Sequence, residues 1–204
     1  LAVLRDIPGV ILCCPSNGRD AALLLRECVR LAWQERRVVV FLEPIALYGT
    51  RDLDRDGDSA WAQVYPPPEE RAGYGDVAVQ DGEGLAIISY GNGFYLACQA
   101  AAVLEAEQGV RPRLVDLRWL QPLPVEALLR ALEGIEAVLV VDECRRSGNV
   151  AEGLVTALHE AGLHRAARLS AEDSFVATGP AYAATMPSRE TIVAAALDLL
   201  ERAP

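Results

Sequence analysis

Few stretches of the 204-residue chain carry side chains whose types and spacing could do chemistry. The first is Val138–Leu158. An apolar run, Val138–Val141, ends in two acids, Asp142 and Glu143. A basic turn follows, Arg145-Arg146-Ser147-Gly148-Asn149, and a helical pattern starts at Val150. Strand, charged loop, helix is the arrangement in which open α/β sheets gather ligands, at the carboxyl ends of strands. The second stretch, Asp52-x-Asp54-x-Asp56-Gly57, copies the first half of an EF-hand calcium loop. The position that should hold a bidentate Glu is Gln63, so the stretch reads as a solvated acidic loop. The third, Tyr90-Gly91-Asn92-Gly93-Phe94, lies between a strand and a helix, and Asp116 follows at about the spacing of a dinucleotide-binding acid. The third glycine of that fingerprint is missing, and a tight turn is the better reading. His159 and His164 flank a helix end, where the dipole favours a cation. No Gly-x-Ser-x-Gly elbow occurs, and all basic residues are Arg, which removes Schiff-base lysine chemistry. The five Cys form no C-x-x-C pair and no zinc pattern; Cys13 and Cys28 read as small buried hydrophobes. No complete catalytic apparatus emerges, and no catalytic, cofactor-binding or metal-binding residue is assigned.

Composition narrows the class further. The chain is 51% hydrophobic, enough for a substantial core. A net charge of −10 argues against nucleic acid, whose phosphates demand basic patches. The apolar runs fall short of the roughly 18 residues a membrane span requires, and no secretory leader precedes them. A cytoplasmic, reduced protein without disulfides is expected. The chain begins at Leu1 rather than Met, and is expected to be processed, trimmed or part of something longer.

These residues need elements to hold them. Val10–Cys14 reads as a buried strand, and Asn17 as the cap of a helix with Leu24, Leu25, Cys28 and Ala32 at helical spacing. Val38–Leu42 is a second strand, which makes one parallel βαβ unit. One such unit does not close a core alone. Residues 49–84, rich in Asp, Pro and Gly, read as a linker and domain boundary. Beyond it, strands at Leu85–Ser89, Arg113–Leu117, Val138–Val141 and Ala166–Leu169 alternate with helices. Ser188 caps a last helix carrying Ile192, Val193, Ala196, Leu197 and Leu200. The expected class is α/β, with helices on both faces of a mostly parallel sheet.

The order of short motifs resembles the C-terminal part of the β subunit of thiamine diphosphate-dependent 2-oxoacid dehydrogenases of the pyruvate and branched-chain type. Ile7-Pro8-Gly9…Pro15-Ser16…Asp20-Ala21 and Val39-Val40-Phe41-Leu42-Glu43…Leu47-Tyr48 are similar to the close of the family's pyrimidine-binding domain. Gly75-Asp76-Val77-Ala78, Ile88-Ser89-Tyr90-Gly91, Val115-Asp116-Leu117-Arg118-Trp119-Leu120-Gln121-Pro122-Leu123 and Val141-Asp142-Glu143-Cys144-Arg145-Arg146-Ser147-Gly148 resemble successive landmarks of its transketolase-type C-terminal domain. Met186-Pro187-Ser188…Ile192-Val193-Ala194-Ala195 fits its last helix. Each piece is short; their collinear order is specific. Ser147-Gly148-Asn149 departs from the family's more usual Thr-Gly-Gly.

The resemblance implies residues 1–48 as the end of a pyrimidine-binding domain and 85–204 as a three-layer α/β/α C-terminal domain. It also implies one antiparallel strand in the sheet, taken to be Leu85–Ser89. The family decarboxylates a 2-oxo acid on thiamine diphosphate with magnesium and passes the acyl group to a lipoyl arm. Its activating Glu lies upstream of the stretch matched here, and its Gly-Asp-Gly…Asn diphosphate motif belongs elsewhere; Asp56-Gly57-Asp58 is not that motif. The chain alone is therefore expected to bind neither cofactor and to be inactive. Its expected partners are a second copy or an α subunit, as homodimer or α/β heterotetramer, and the lipoyl acyltransferase core, with Glu143, Arg145 and Arg146 as the partner-binding residues. A transketolase or deoxyxylulose-phosphate synthase C-terminal part, or a non-catalytic interaction module, are the alternatives.

Overall fold

The computed structural model describes residues 1–202. After a short helix α1 (Ala2–Arg5), strand β1 (Val10–Cys13), helix α2 (Gly18–Gln34) and strand β2 (Val38–Phe41) form the expected parallel unit, with Val10 opposite Val38 and Cys13 opposite Phe41. Asn17 does cap α2: its side chain accepts from the Asp20 N–H at 2.9 Å. The chain then runs through the Asp/Pro/Gly-rich segment to β3 (Ala78–Gln80), β4 (Gly84–Ser89), α3 (Gly91–Gln108), β5 (Arg113–Asp116), β6 (Trp119–Gln121), α4 (Val125–Ala131), β7 (Ile135–Arg145), α5 (Val150–Glu160), β8 (Ala166–Ala171) and α6 (Arg189–Glu201).

The larger sheet has the order β3-β5-β4-β7-β8. The middle stretches of its central strands, Leu85–Ile88 and Ala137–Val141, are apolar because both faces are covered, as parallel sheets require. Leu85, Ile87, Ala137, Leu139 and Val141 pack under α3 and α6. Ala86, Ile88, Val138 and Val140 pack on the opposite face, against Leu128 and Leu132 of the α4 region and Val150, Leu154 and Leu158 of α5. The period-2 alternation of strand side chains thus sorts one apolar run into two cores. Ser188 caps α6 through a reciprocal box with Thr191.

The identity of the antiparallel strand is corrected. Leu85–Ser89 is parallel to both β5 and β7 and sits at the centre of the sheet. The antiparallel strand is β3, which pairs Ala78 with Asp116 and Gln80 with Leu114 at the sheet edge. It falls inside the stretch expected to be a linker. Three residues long, with Val79 and Gln80 exposed, it carries no apolar run to announce it. A second strand, β6, also lacks a sequence signal. It pairs antiparallel with β1, so the smaller sheet is β2-β1-β6 and borrows a strand from beyond β5. Ile11 and Cys13 face α2, while Leu12 and Cys14 face the core of the larger sheet. None of the helices among the described residues is long and apolar enough to cross a membrane.

Candidate functional site

The strand ends meet at the charged end of β7, which does not stop at Val141 as expected but runs on through Asp142, Glu143 and Cys144 to Arg145. Asp142 is fully buried there. One of its oxygens accepts from the Tyr90 hydroxyl at 2.7 Å and the Cys144 N–H at 2.9 Å. The other accepts from the Ala151 N–H at 3.0 Å, in the first turn of α5, where the helix dipole favours an acid. Asn149 caps the same helix, accepting from the Glu152 N–H at 3.2 Å while donating to Ser170 Oγ at 2.8 Å. One carboxylate therefore ties the ends of β4 and β7 to the start of α5. Burial, and then the Asp142 charge, push the Tyr90 hydroxyl well above its ordinary range, so it serves as a donor and not as an acid.

Glu143 lies beside this knot, partly buried, and accepts from Asn92 Nδ2 at 2.6 Å. Burial raises its carboxyl above the usual range, while Asn92 pulls it down. The glycines of the Tyr90-Gly91-Asn92-Gly93 stretch explain this closeness. They do not form a free turn; they are the first turn of α3. Gly91 has a positive φ of 55°. A Cβ on Gly93 would sit 2.5 Å from Ser89 Oγ, and Ser89 donates to the Val141 carbonyl at 2.9 Å. These glycines bring a helix onto the strand ends.

Arg145 and Arg146 point the other way, into solvent. Arg145 Nε donates to the Ser147 carbonyl at 3.2 Å, and the Arg146 carbonyl accepts from Arg168 at 3.0 Å. Neither guanidinium forms an ion pair among the described residues. The fold thus separates Glu143, turned inward, from the arginine pair on the surface.

A second polar cluster joins residues that the sequence shows only separately, Asp20, Asp116 and Arg118. Arg118, in a left-handed conformation, donates to both carboxylate oxygens of Asp20, from Nε at 2.9 Å and from Nη2 at 2.7 Å. Beside it, Asp116 is fully buried, and one of its carboxyl oxygens has no hydrogen-bond partner. Burial, then the nearby Asp20 charge, push its carboxyl up to about 7; Ser16 and Arg118 oppose this. The cluster walls a cavity of about 580 Å³, also lined by Asn17, Gly73 and Asp76. The Asp20–Arg118 pair spans 98 residues of sequence. Its only local signal is an acid in the first turn of α2.

The acidic loop does not fit a magnesium-diphosphate group. Asp58 accepts from the N–H groups of Leu53, Asp54, Arg55 and Ala60 at 2.8–3.0 Å, which holds it well below the usual carboxylate range. Asp52 accepts from Gly57 and Ser59, both at 2.8 Å. These oxygens close the loop on itself.

Comparison with known proteins agrees with the geometry. Residues 73–192 match the family described as transketolase, C-terminal domain. The chain is 33% identical over 149 residues to the acetoin:2,6-dichlorophenolindophenol oxidoreductase subunit beta of Cupriavidus necator, covering 73% of this chain and 40% of that protein. It is 26% identical over 199 residues to the pyruvate dehydrogenase E1 component subunit beta of Bacillus subtilis, covering 95% and 57%. A split-gene transketolase, solved as an inactive β4 tetramer, superposes with a TM-score of 0.77 at 22% identity, covering 98% of this chain and 61% of that one. The chain spans roughly half the length of the two curated relatives.

Proposed function

Because the chain belongs to the transketolase C-terminal domain family, we propose that it supplies the C-terminal architecture of a thiamine diphosphate-dependent 2-oxoacid dehydrogenase β-type subunit. In this reading residues 1–48 close a pyrimidine-binding domain and 85–204 form the assembly domain. Cofactor, magnesium and catalytic acid are held by segments outside the chain, in a homodimer or α/β heterotetramer that hands its acyl group to a lipoyl acyltransferase core. One observation carries the reading: the smaller sheet is half a layer. The parallel pair β1–β2 ends in an open edge at β2, where Val38 is exposed and Val39, Val40 and Phe41 are only partly covered. Parallel strands are normally buried on both sides. The outer face of α2 beside it exposes Leu25, Val29 and Trp33 at helical spacing. Such a surface suits more of the same α/β domain.

The knot around Asp142 supports a positioning role for the loop, because its oxygens are already engaged. The guanidinium groups of Arg145 and Arg146, without an ion pair among the described residues, then suit a carboxylate across an interface, and Glu143 fixes the strand end that presents them. The test is turnover. The purified chain, with thiamine diphosphate, magnesium and pyruvate, is expected to release no carbon dioxide, and co-expression with the upstream and α-type segments of a relative to restore it. In the restored assembly, Arg145→Glu/Arg146→Glu is expected to weaken acyltransferase binding. Decarboxylation by the chain alone, or unchanged acyltransferase binding by the charge-reversed pair, would overturn the corresponding half of the proposal.

A further inference from the structure

The two histidines of the chain lie at the opposite end of α5 from the Asp142 cluster, and they meet each other. His159 is in the last turn of α5, and Gly162, with φ +87°, turns the chain back beyond the helix. On a continued helix, residues five apart would point in different directions. The glycine turn instead brings His164 over His159, with ring centroids 4.5 Å apart in an edge-to-face arrangement. The two Nδ1 atoms face each other at 3.0 Å, and both side chains are exposed. Without a metal, one Nδ1 must donate and the other accept.

We propose that His159 and His164 form a two-imidazole chelate for a late first-row transition-metal ion, Cu(II) above all. The geometry selects the ion. With metal–nitrogen bonds of about 2.0–2.1 Å, nitrogens 3.0 Å apart subtend roughly 91–97° at the metal. That angle suits two adjacent positions of a square-planar or octahedral sphere and is narrower than a tetrahedral one, so it favours Cu(II) and Ni(II) over Zn(II). The ion takes the place of the shared Nδ1 proton, and both rings become the neutral Nε2–H tautomer. No third His, Cys, Asp or Glu converges on the pair among the described residues. Water fills the remaining positions, and the site stays open to exchange.

Calorimetric titration of the full chain with CuCl2, NiCl2, ZnCl2 and MgCl2 tests this. The expected order is copper tightest, then nickel and zinc, with magnesium unbound. Affinity should fall as pH drops and the imidazoles protonate. His159→Ala and His164→Ala are each expected to lower copper affinity roughly tenfold or more, because the chelate is lost with either arm, and the double variant is expected to show no one-to-one site. Both positions are exposed, and circular dichroism is expected to be unchanged. The proposal is overturned if either single variant binds copper like the parent, or if a one-to-one site survives in the double variant.

Discussion

The two sheets use similar strands and end differently. The five-stranded sheet is sealed: α3 and α6 cover one face and α4 and α5 the other, so its central strands have no accessible surface to speak of. The three-stranded sheet is covered by α2 on one side and by the larger core on the other, but its β2 edge is open and the far side of α2 is apolar and bare. The lesson is that burial of strands, not their sequence type, distinguishes a finished layer from a half layer. Val-Val-Val-Phe of β2 is as apolar as Val-Leu-Val-Val of β7.

If that contrast holds, substitutions should sort by which sheet they touch. The largest effect is expected where the two sheets are clamped. Arg118→Ala leaves Asp20 buried without its partner and is expected to cost about 3–5 kcal/mol in urea unfolding; a cost near zero would mean the sheets stay together without the pair. Next comes a direct comparison. Leu139→Ala in the sealed core is expected to cost about 2–5 kcal/mol, and Val39→Ala in the open strand clearly less. Equal costs would erase the distinction between the sheets.

Asp116 gives a pH test at the seam. Its folded carboxyl titrates near 7, above the ordinary carboxylate value. The fold therefore favours the protonated acid. Its contribution is greatest below the unfolded value and declines as pH rises from about 4 to 7. Asp116→Asn, which stays neutral, is expected to gain on the parent over that window, by up to a few kcal/mol at pH 8. A difference that is flat with pH would place the titration elsewhere. The smallest stability effect should be at the bare face: Val29→Ser/Trp33→Ser is expected to change stability by only about 0.5 kcal/mol per site, while abolishing assembly with the rest of a pyrimidine-binding domain in a co-purification assay.

Sequence patterns reached far where burial was local. The apolar runs of β1, β2, β4, β5 and β7, and the caps at Asn17 and Ser188, appear where spacing places them, because a two-sided strand and an N-cap are each written in a few neighbouring residues. β3 and β6 were illegible for the opposite reason. Each is three residues long and owes its conformation to a distant partner. The antiparallel assignment of Leu85–Ser89 failed because direction is a property of pairing, which periodicity does not encode. At the candidate site, Asp142 and Glu143 are visible as charges after an apolar run, but neither the continuation of β7 through them nor their hydrogen bonds to Tyr90, Asn92 and Ala151 is. Asp20 and Arg118 were read separately, since nothing in one announces the other.

The borrowed strand also sets a clock on synthesis. β1 meets β6 by pairing Leu12 with Gln121 and Cys13 with Trp119, so the partner is made roughly a hundred residues later. At about 5–20 residues per second, the ribosome leaves β1 waiting some 5–20 s with one flank unpaired, while β2 arrives much sooner. Nascent chains stalled just before β6 has emerged should therefore hold β1 with one backbone edge unpaired and with Leu12 and Cys14, which face the later-made core, uncovered, while Ile11 and Cys13 already lie against α2.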